Sequence, residues 1–265
     1  MEIITSPHNE RIAGARKLKQ KKHRDAEGLF LAEGLRLCEE AAKASCVDEV
    51  YYHESLAATE RGEALLRALA GSAKGFAKVS AKVMGAIAET ETPQGVVCVC
   101  RQNKSAIRAF GAGSGTVLAA DGIRDPGNLG TIIRTLWASG AKGLVCLPGT
   151  TDPYSGKCVR ASMGGVFHVP VFDNVGWATL SRWALDSGYR VIAADAGRGR
   201  DYSGFDWPEK TLLCIGGEAA GLSSVPERDV EERVFIPLAP GAESLNAGVA
   251  AGILLYAARR RGAPA

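Results

Sequence analysis

The stretch from residue 211 to 261 restricts the fold more than any other part of the chain. Two short apolar runs, Leu212–Ile215 and Val234–Leu238, have the length and flanking residues of buried strands. Each runs into a loop rich in groups that a core does not use. The first loop carries Gly216, Gly217 and Glu218. The second carries Pro240, Gly241, Glu243, Ser244 and Asn246. A helix of small apolar residues follows and ends in Arg259, Arg260 and Arg261. Ligands of open α/β sheets bind beyond the carboxyl ends of strands. Two such ends, both glycine-rich and polar, predict a pocket built largely from backbone.

Upstream of it, strand and helix signals alternate. Thr116–Asp121 reads as a strand. Asp125-Pro126-Gly127 then starts a helix with a buried stripe of Leu129, Ile132, Ile133, Leu136 and Trp137, and Ser139-Gly140 stops it. Strands follow at Leu144–Leu147, Val169–Phe172 and Arg190–Ala194. Helices are expected around Gly156–Met163 and over Trp177–Asp186. This βαβα order predicts a mainly parallel sheet with helices on both faces. The strand ending at Ala194 delivers Asp195, Ala196 and Gly197 to the same rim as the other two ends. Gly130 and Arg134 share a helix face, and helical side chains lean toward the N-terminus. Arg134 therefore lies over Gly130 and points toward the loop after Asp121. The missing side chain at Gly130 serves either close helix packing or ligand space.

The first hundred residues read as a separate small α/β sandwich. Helical spacing of Leu31, Leu35, Cys38 and Ala42 predicts one helix over residues 28–44. Strands are expected at Val47–Tyr52, Phe76–Val79 and Val96–Cys100, and helices at Thr59–Ala70 and Ala81–Ala88. The boundaries are 1–104 for this domain, 105–115 for a glycine-containing flexible linker and 116–265 for the sheet domain. The GAGSG run in the linker precedes a strand instead of following one, so it is no nucleotide loop.

Net charge is only +3, so a nucleic-acid surface has to be local. One candidate is the run Arg16–Arg24, where Arg16, Lys17, Lys19, Lys21, Lys22 and Arg24 make six cations in nine residues. It is either a phosphate-contacting arm or a solvated helix face. Seven scattered cysteines without a CxxC pair fit reduced thiols better than a disulfide framework or a zinc site. No metal is expected. Met1–Gln20 is too polar for a secretory leader, and Leu245–Ala258 is too short to span a bilayer. The expectation is a cytoplasmic protein without a membrane partner.

Three motifs, in order, resemble the SpoU (TrmH) family of RNA ribose 2′-O-methyltransferases in the SPOUT class. They are Asn128-Leu-Gly130-Thr-Ile-Ile-Arg134, then Gly216-Gly217-Glu218-Ala-Ala-Gly221-Leu222, then Ile236-Pro237-Leu238 with Ser244-Leu245-Asn246. Phe30-Leu31-Ala32-Glu33-Gly34 and Thr92-Pro93-Gln94-Gly95 resemble the ribosomal-protein-like substrate-binding domain that often precedes the catalytic one. The pattern departs at Gly217, where a side chain is common, and at Ala247-Gly248, where Val-Ser is more usual.

The resemblance implies a deep trefoil knot at the C-terminal end, S-adenosylmethionine bound in it, a homodimer, and RNA as substrate, ribosomal before transfer RNA. A non-catalytic RNA-binding or ribosome-assembly factor is the alternative on the same fold. A nicotinamide dehydrogenase is disfavoured because no GxGxxG follows the first strand of the sheet domain. For the cofactor, Gly216 and Gly217 provide close backbone. Ile236, Leu238 and Leu245 provide apolar walls, and Ala194, Asp195 and Ala196 close the third strand end. For the RNA, Arg134 is the expected clamp on phosphate and ribose, because a guanidinium stays charged and is a poor literal base. Glu218 either orients Arg134 or the ribose, or sits in a buried ion pair. Ser244, Asn246 and Asn128 are site residues or, alternatively, polar groups that cap a helix or tie down a turn.

Overall fold

The computed structural model describes residues 3–71, 73–217 and 221–259. It divides into two compact units. One comprises residues 1–103 with 154–168; the other comprises 104–153 with 169–265.

The first unit opens with two helices, α1 (Glu10–Lys17) and α2 (Lys21–Glu27). Strand β1 (Leu29–Glu33), helix α3 (Leu35–Lys43), strand β2 (Val47–Tyr52) and helices α4 (Glu54–Ala57) and α5 (Glu60–Ala70) follow. Strand β3 (Gly75–Lys78), helix α6 (Ala81–Ile87) and strand β4 (Val96–Arg101) complete the run. The sheet order is β1-β4-β2-β3, antiparallel except for the parallel β2–β3 pair.

The single helix expected over 28–44 is instead a strand and a helix. Gly34, at φ +94°, separates them. That left-handed backbone favours glycine and interrupts a helix. Phe30, Leu31 and Ala32 are buried and pair with β4. The two N-terminal motifs brace each other here. The side-chain oxygen of Gln94 accepts from Leu35 N at 3.0 Å, and a Cβ on Gly34 would stand 2.8 Å from that oxygen. Glu33 accepts from the backbone N–H groups of Glu89 and Thr90.

The second unit contains a seven-stranded, all-parallel sheet. Its elements begin with β5 (Gly115–Asp121), α7 (Pro126–Ser139) and β6 (Gly143–Cys146). The next helix, α8 (Gly156–Ala161), belongs to the first unit. There it packs on β1, Phe30 meets Tyr154 and Phe167, and Arg160 pairs with Glu89 at 2.7 Å. The alternating pattern assigns this helix to the parallel sheet. The aromatic contacts and the ion pair explain why it is not there.

The sheet continues with β7 (Val171–Phe172), α9 (Trp177–Ser187), β8 (Arg190–Ala194), β9 (Arg200–Asp201), β10 (Lys210–Gly216), β11 (Glu232–Phe235) and α10 (Ala247–Arg259). The order is β7-β6-β5-β10-β8-β11-β9. Val117, Ala119, Leu212 and Cys214 pack with Leu180, Trp183 and Ala184 of α9. Side chains alternate along a strand, so Leu118 and Leu213 face the opposite layer. There α10 packs on α7, β5 and β10. Residues 107–113 of the expected linker pack on the second unit. Ile107 and Phe110 enter the α9 core, Trp183 Nε1 donates to the Phe110 carbonyl at 3.0 Å, and the Tyr189 hydroxyl donates to that of Gly113 at 2.8 Å.

Candidate functional site

The carboxyl ends of β8, β10 and β11 open on one cavity, and α10 closes its far side. It encloses about 730 Å³ including its mouth. Ala194, Asp195 and Ala196 line it from β8, Gly216 and Gly217 from β10, Ile236 and Leu238 from beyond β11, and Ser244 and Leu245 from the loop before α10. All eight residues expected to bind cofactor are therefore together, with Ser244 beside them. Among the described residues, Ile215, Gly221, Val234, Ala247, Ala250 and Leu254 complete the lining. Strand ends and the small face of the last helix are the signals that point to these six.

Gly216, which ends β10, and Gly217, which follows it, are required by the protein's own backbone. A Cβ on Gly216 would lie 2.1 Å from the carbonyl carbon of Gly221, and one on Gly217 would lie 2.5 Å from the Gly122 oxygen. The turn closes because Gly221 N donates to the Gly217 carbonyl at 2.9 Å, and Gly217 N donates to that of Asp121 at 2.9 Å. Glu218 lies outside the described residues, as do Arg260 and Arg261.

Asp195 is committed to its own loop. Its Oδ1 accepts from Gly197 N and Arg198 N, and Oδ2 meets Arg198 and, at 2.9 Å, Arg233. Burial opposes ionisation, but Arg198 and the Gly197 amide outweigh it together and hold this carboxyl below the usual range. At this rim Asp195 fixes the backbone of Gly197 and Arg198.

Helix α7 is capped by Asp125, whose side chain accepts from Asn128 N, and ends at Gly140 in a left-handed C-cap. Gly130 is buried within it. Asn246 Nδ2 donates to Asn128 Oδ1 at 2.8 Å, joining the first and third motifs. Asn246 Oδ1 accepts from Gly248 N and Val249 N, so Asn246, not Ser244, caps α10. A neutral bond of this kind contributes about 0.5–1.5 kcal/mol, and the cap about 1 kcal/mol. Arg134 is exposed on α7, and its side chain makes no hydrogen bond or ion pair with another described residue. Its guanidinium is available to an anionic partner.

The basic run divides. Lys19 donates to the carbonyls of Ala86 and Ala88 at 3.0 and 2.6 Å, closing the end of α6, and burial pushes its pKa down. Arg24 is 5% exposed and donates to the Leu18 carbonyl at 2.7 Å. These two cations hold the fold and are withdrawn from the expected RNA surface. Arg16, Lys17, Lys21 and Lys22 are exposed, Lys21 beside Asp25. Among the described residues no group of three or more His, Cys, Asp or Glu side chains is placed to hold a metal, and no helix is long and apolar enough to cross a membrane.

Residues 115–256 match the model of the SpoU rRNA Methylase family, and residues 9–98 match that of the MRM3-like substrate binding domain. The chain is 32% identical to the 23S rRNA (guanosine(2553)-2′-O)-methyltransferase RlmP of Bacillus subtilis, covering 97% of this chain and 98% of that one. It is 26% identical to the human mitochondrial rRNA methyltransferase 3, over 92% of this chain and 70% of the relative. Among solved structures, the AdoMet-bound rRNA methyltransferase of Sinorhizobium meliloti superposes with a TM-score of 0.87 at 35% identity, over 98% and 97% of the two chains. The AdoMet complex of the SpoU methyltransferase AviRb from Streptomyces viridochromogenes gives 0.86 at 28%, over 97% and 100%. The match over residues 115–256, the full-length relative at 32% identity and the cavity lined by the second and third motifs lead to one conclusion: the chain belongs to the SpoU rRNA methylase family.

Proposed function

We propose that this protein transfers a methyl group from S-adenosylmethionine to a ribose 2′-hydroxyl of ribosomal RNA of the 23S type, in the cytoplasm. The observation that carries the reading is the cavity at the ends of β8, β10 and β11, with backbone on one side and Ile236, Leu238, Leu245 and Leu254 on the other. Close backbone supplies donors and acceptors for the polar edges of an adenosyl group, and the aliphatic walls take its ring faces. The resident groups thus fit that cofactor, which when bound supplies an electrophilic methyl on a sulfonium.

The chain's own residues perform the remaining tasks. Arg134 clamps the target phosphate and ribose and stabilises the charge that develops on the 2′-oxygen. The Asn128–Asn246 bond holds the start of α7, which carries Arg134, against the start of α10, which lines the cavity. Positioning is the main demand of an in-line displacement and can supply about 7–11 kcal/mol. Ser244 at the cavity rim and Glu218 are assigned to orienting the ribose.

Residues 1–104 form the RNA-capturing domain, with Arg16, Lys17, Lys21 and Lys22 as its phosphate contacts. Residues 105–115 lead into a catalytic domain within 116–265, from which residues 154–168 depart to pack in the first unit. Threading of the C-terminal segment into a trefoil knot is part of the proposal. Its support is that α10, which follows β11 near one edge, lies back on β5 and β10 in the middle of the sheet. A homodimer is also proposed. The small-residue face of α10 is occupied within the chain, where Gly248 and Gly252 face Thr131 and Thr135 of α7. Trp137, expected in the buried stripe of α7, is instead 38% exposed, and with the exposed Val249 and Tyr256 of α10 it supplies the apolar surface. Calorimetry with S-adenosylmethionine tests the pocket. Micromolar binding is expected, and no binding would overturn the reading.

A further inference from the structure

Asp121 ends β5 and has no exposed surface. Its Oδ2 accepts from Ser223 N and Ser224 N, both at 2.6 Å. Its Oδ1 accepts from the hydroxyls of Ser224 at 2.8 Å and Ser223 at 3.3 Å. Its main-chain carbonyl accepts from Gly217 N at 2.9 Å. One residue of β5 therefore holds the turn after β10 at two points, Gly217 and the Ser223–Ser224 pair. Burying a carboxylate is costly unless donors surround it, and here two backbone N–H groups and two hydroxyls of one dipeptide donate to it. On its other side, the Thr150 hydroxyl donates to the Ala120 carbonyl at 2.8 Å and accepts from Gly122 N at 3.1 Å. The end of β5 is thus fixed from both neighbours, and the turn from β10 hangs on it.

We propose that Asp121 is a positioning residue for the cofactor. Its hold on Ser223 and Ser224 keeps Gly221 closed against Gly216 and Gly217, where all three line the cavity. The inference rests on reading that cavity as the S-adenosylmethionine site. The hold works through hydrogen bonds, not through net charge. An asparagine can keep one oxygen on the two backbone N–H groups and donate its NH₂ to the two hydroxyls, since serine hydroxyls accept as well as donate.

The test uses the full chain, with S-adenosylmethionine titrated calorimetrically into wild type, Asp121→Ala, Asp121→Asn and the double variant Ser223→Ala with Ser224→Ala. If the closed turn falls to about one tenth of molecules, the apparent Kd rises about tenfold. That is the expectation for Asp121→Ala. Asp121→Asn should stay within about threefold of wild type, and the double serine variant should fall between, because only the closed fraction changes. In turnover the loss should appear as a raised KM for the cofactor with kcat nearly kept, and RNA affinity should be unchanged. Should Asp121→Ala fail to fold, the double serine variant decides the matter alone. Wild-type affinity in the double variant, or an Asn variant as weak as a folded Ala variant, would overturn the proposal. So would a loss confined to kcat. Absence of binding by wild type would instead remove the pocket reading on which it rests.

Discussion

Replacing Gly216 by alanine adds one methyl group at the point where the turn after β10 folds back on itself. Gly216 does not have a positive φ, so the backbone accepts alanine without strain. The whole effect is steric. The new Cβ would stand 2.1 Å from the Gly221 carbonyl carbon, 2.2 Å from its oxygen and 2.5 Å from Leu222 N. Ordinary contact begins at 3.4 Å, so the turn must move by more than an ångström. No flexible side chain is available to yield, because all three opposing atoms are backbone. Overpacking of this kind costs about 1–3 kcal/mol, and the opened turn also removes one wall of the cavity. We predict that Gly216→Ala lowers stability by about 2 kcal/mol and weakens S-adenosylmethionine binding by about tenfold or more. Denaturant unfolding and calorimetry measure the two effects. Gly197→Ala is the control, since nothing lies within 4 Å of its Cβ, and it should stay within about 0.5 kcal/mol of wild type. Unchanged midpoint and affinity for Gly216→Ala would refute the steric argument.

Further outcomes follow from individual side chains. Leu245→Asp puts an unpaired charge on an apolar cavity wall and should abolish measurable cofactor binding; calorimetry checks it. Changing Arg16, Lys17 and Lys22 together to alanine should flatten the slope of log affinity against log salt by about 0.7–0.9 for each phosphate that is no longer neutralised. Lys19→Ala should leave that slope alone and cost about 1–3 kcal/mol of stability, because it frees the Ala86 and Ala88 carbonyls. Lys43, then His168, hold the Glu40 carboxyl below its ordinary 4.5. That stabilisation is complete above the unfolded pKa and is lost as pH falls through the lower folded value. Acid unfolding followed by circular dichroism should therefore be less steep below pH 4.5 in Glu40→Gln than in wild type.

The cavity was legible in the sequence because its lining sits at strand ends, and strand ends can be read from apolar runs that stop at glycines. The roles of single polar residues were less so. Gly216 and Gly217 are expected to bring backbone close to a ligand, yet their nearest obstacles are Gly221 and Gly122 of the same chain. Asp121 carries no local signal, since its partners lie more than a hundred residues away. Lys19 and Arg24 cannot be told from their neighbours by charge, because only packing against α6 and Leu18 turns them inward. Residues 29–33 keep a helical spacing that continues into α3, and the break depends on the backbone at Gly34. The place of α8 on β1 depends on Phe30, Tyr154 and Arg160 meeting across the chain.

The most direct test of methyl transfer uses S-adenosylmethionine carrying a labelled methyl group, incubated with ribosomal RNA and either the wild-type chain or Arg134→Ala. The exposed guanidinium on α7 is assigned to the ribose and phosphate and the cavity to the cofactor, so the two functions should separate. The predicted result is label on a ribose 2′-oxygen with wild type, and loss of transfer in Arg134→Ala with cofactor affinity nearly intact. Label on a base, no transfer to ribosomal RNA, or full turnover by Arg134→Ala would contradict it.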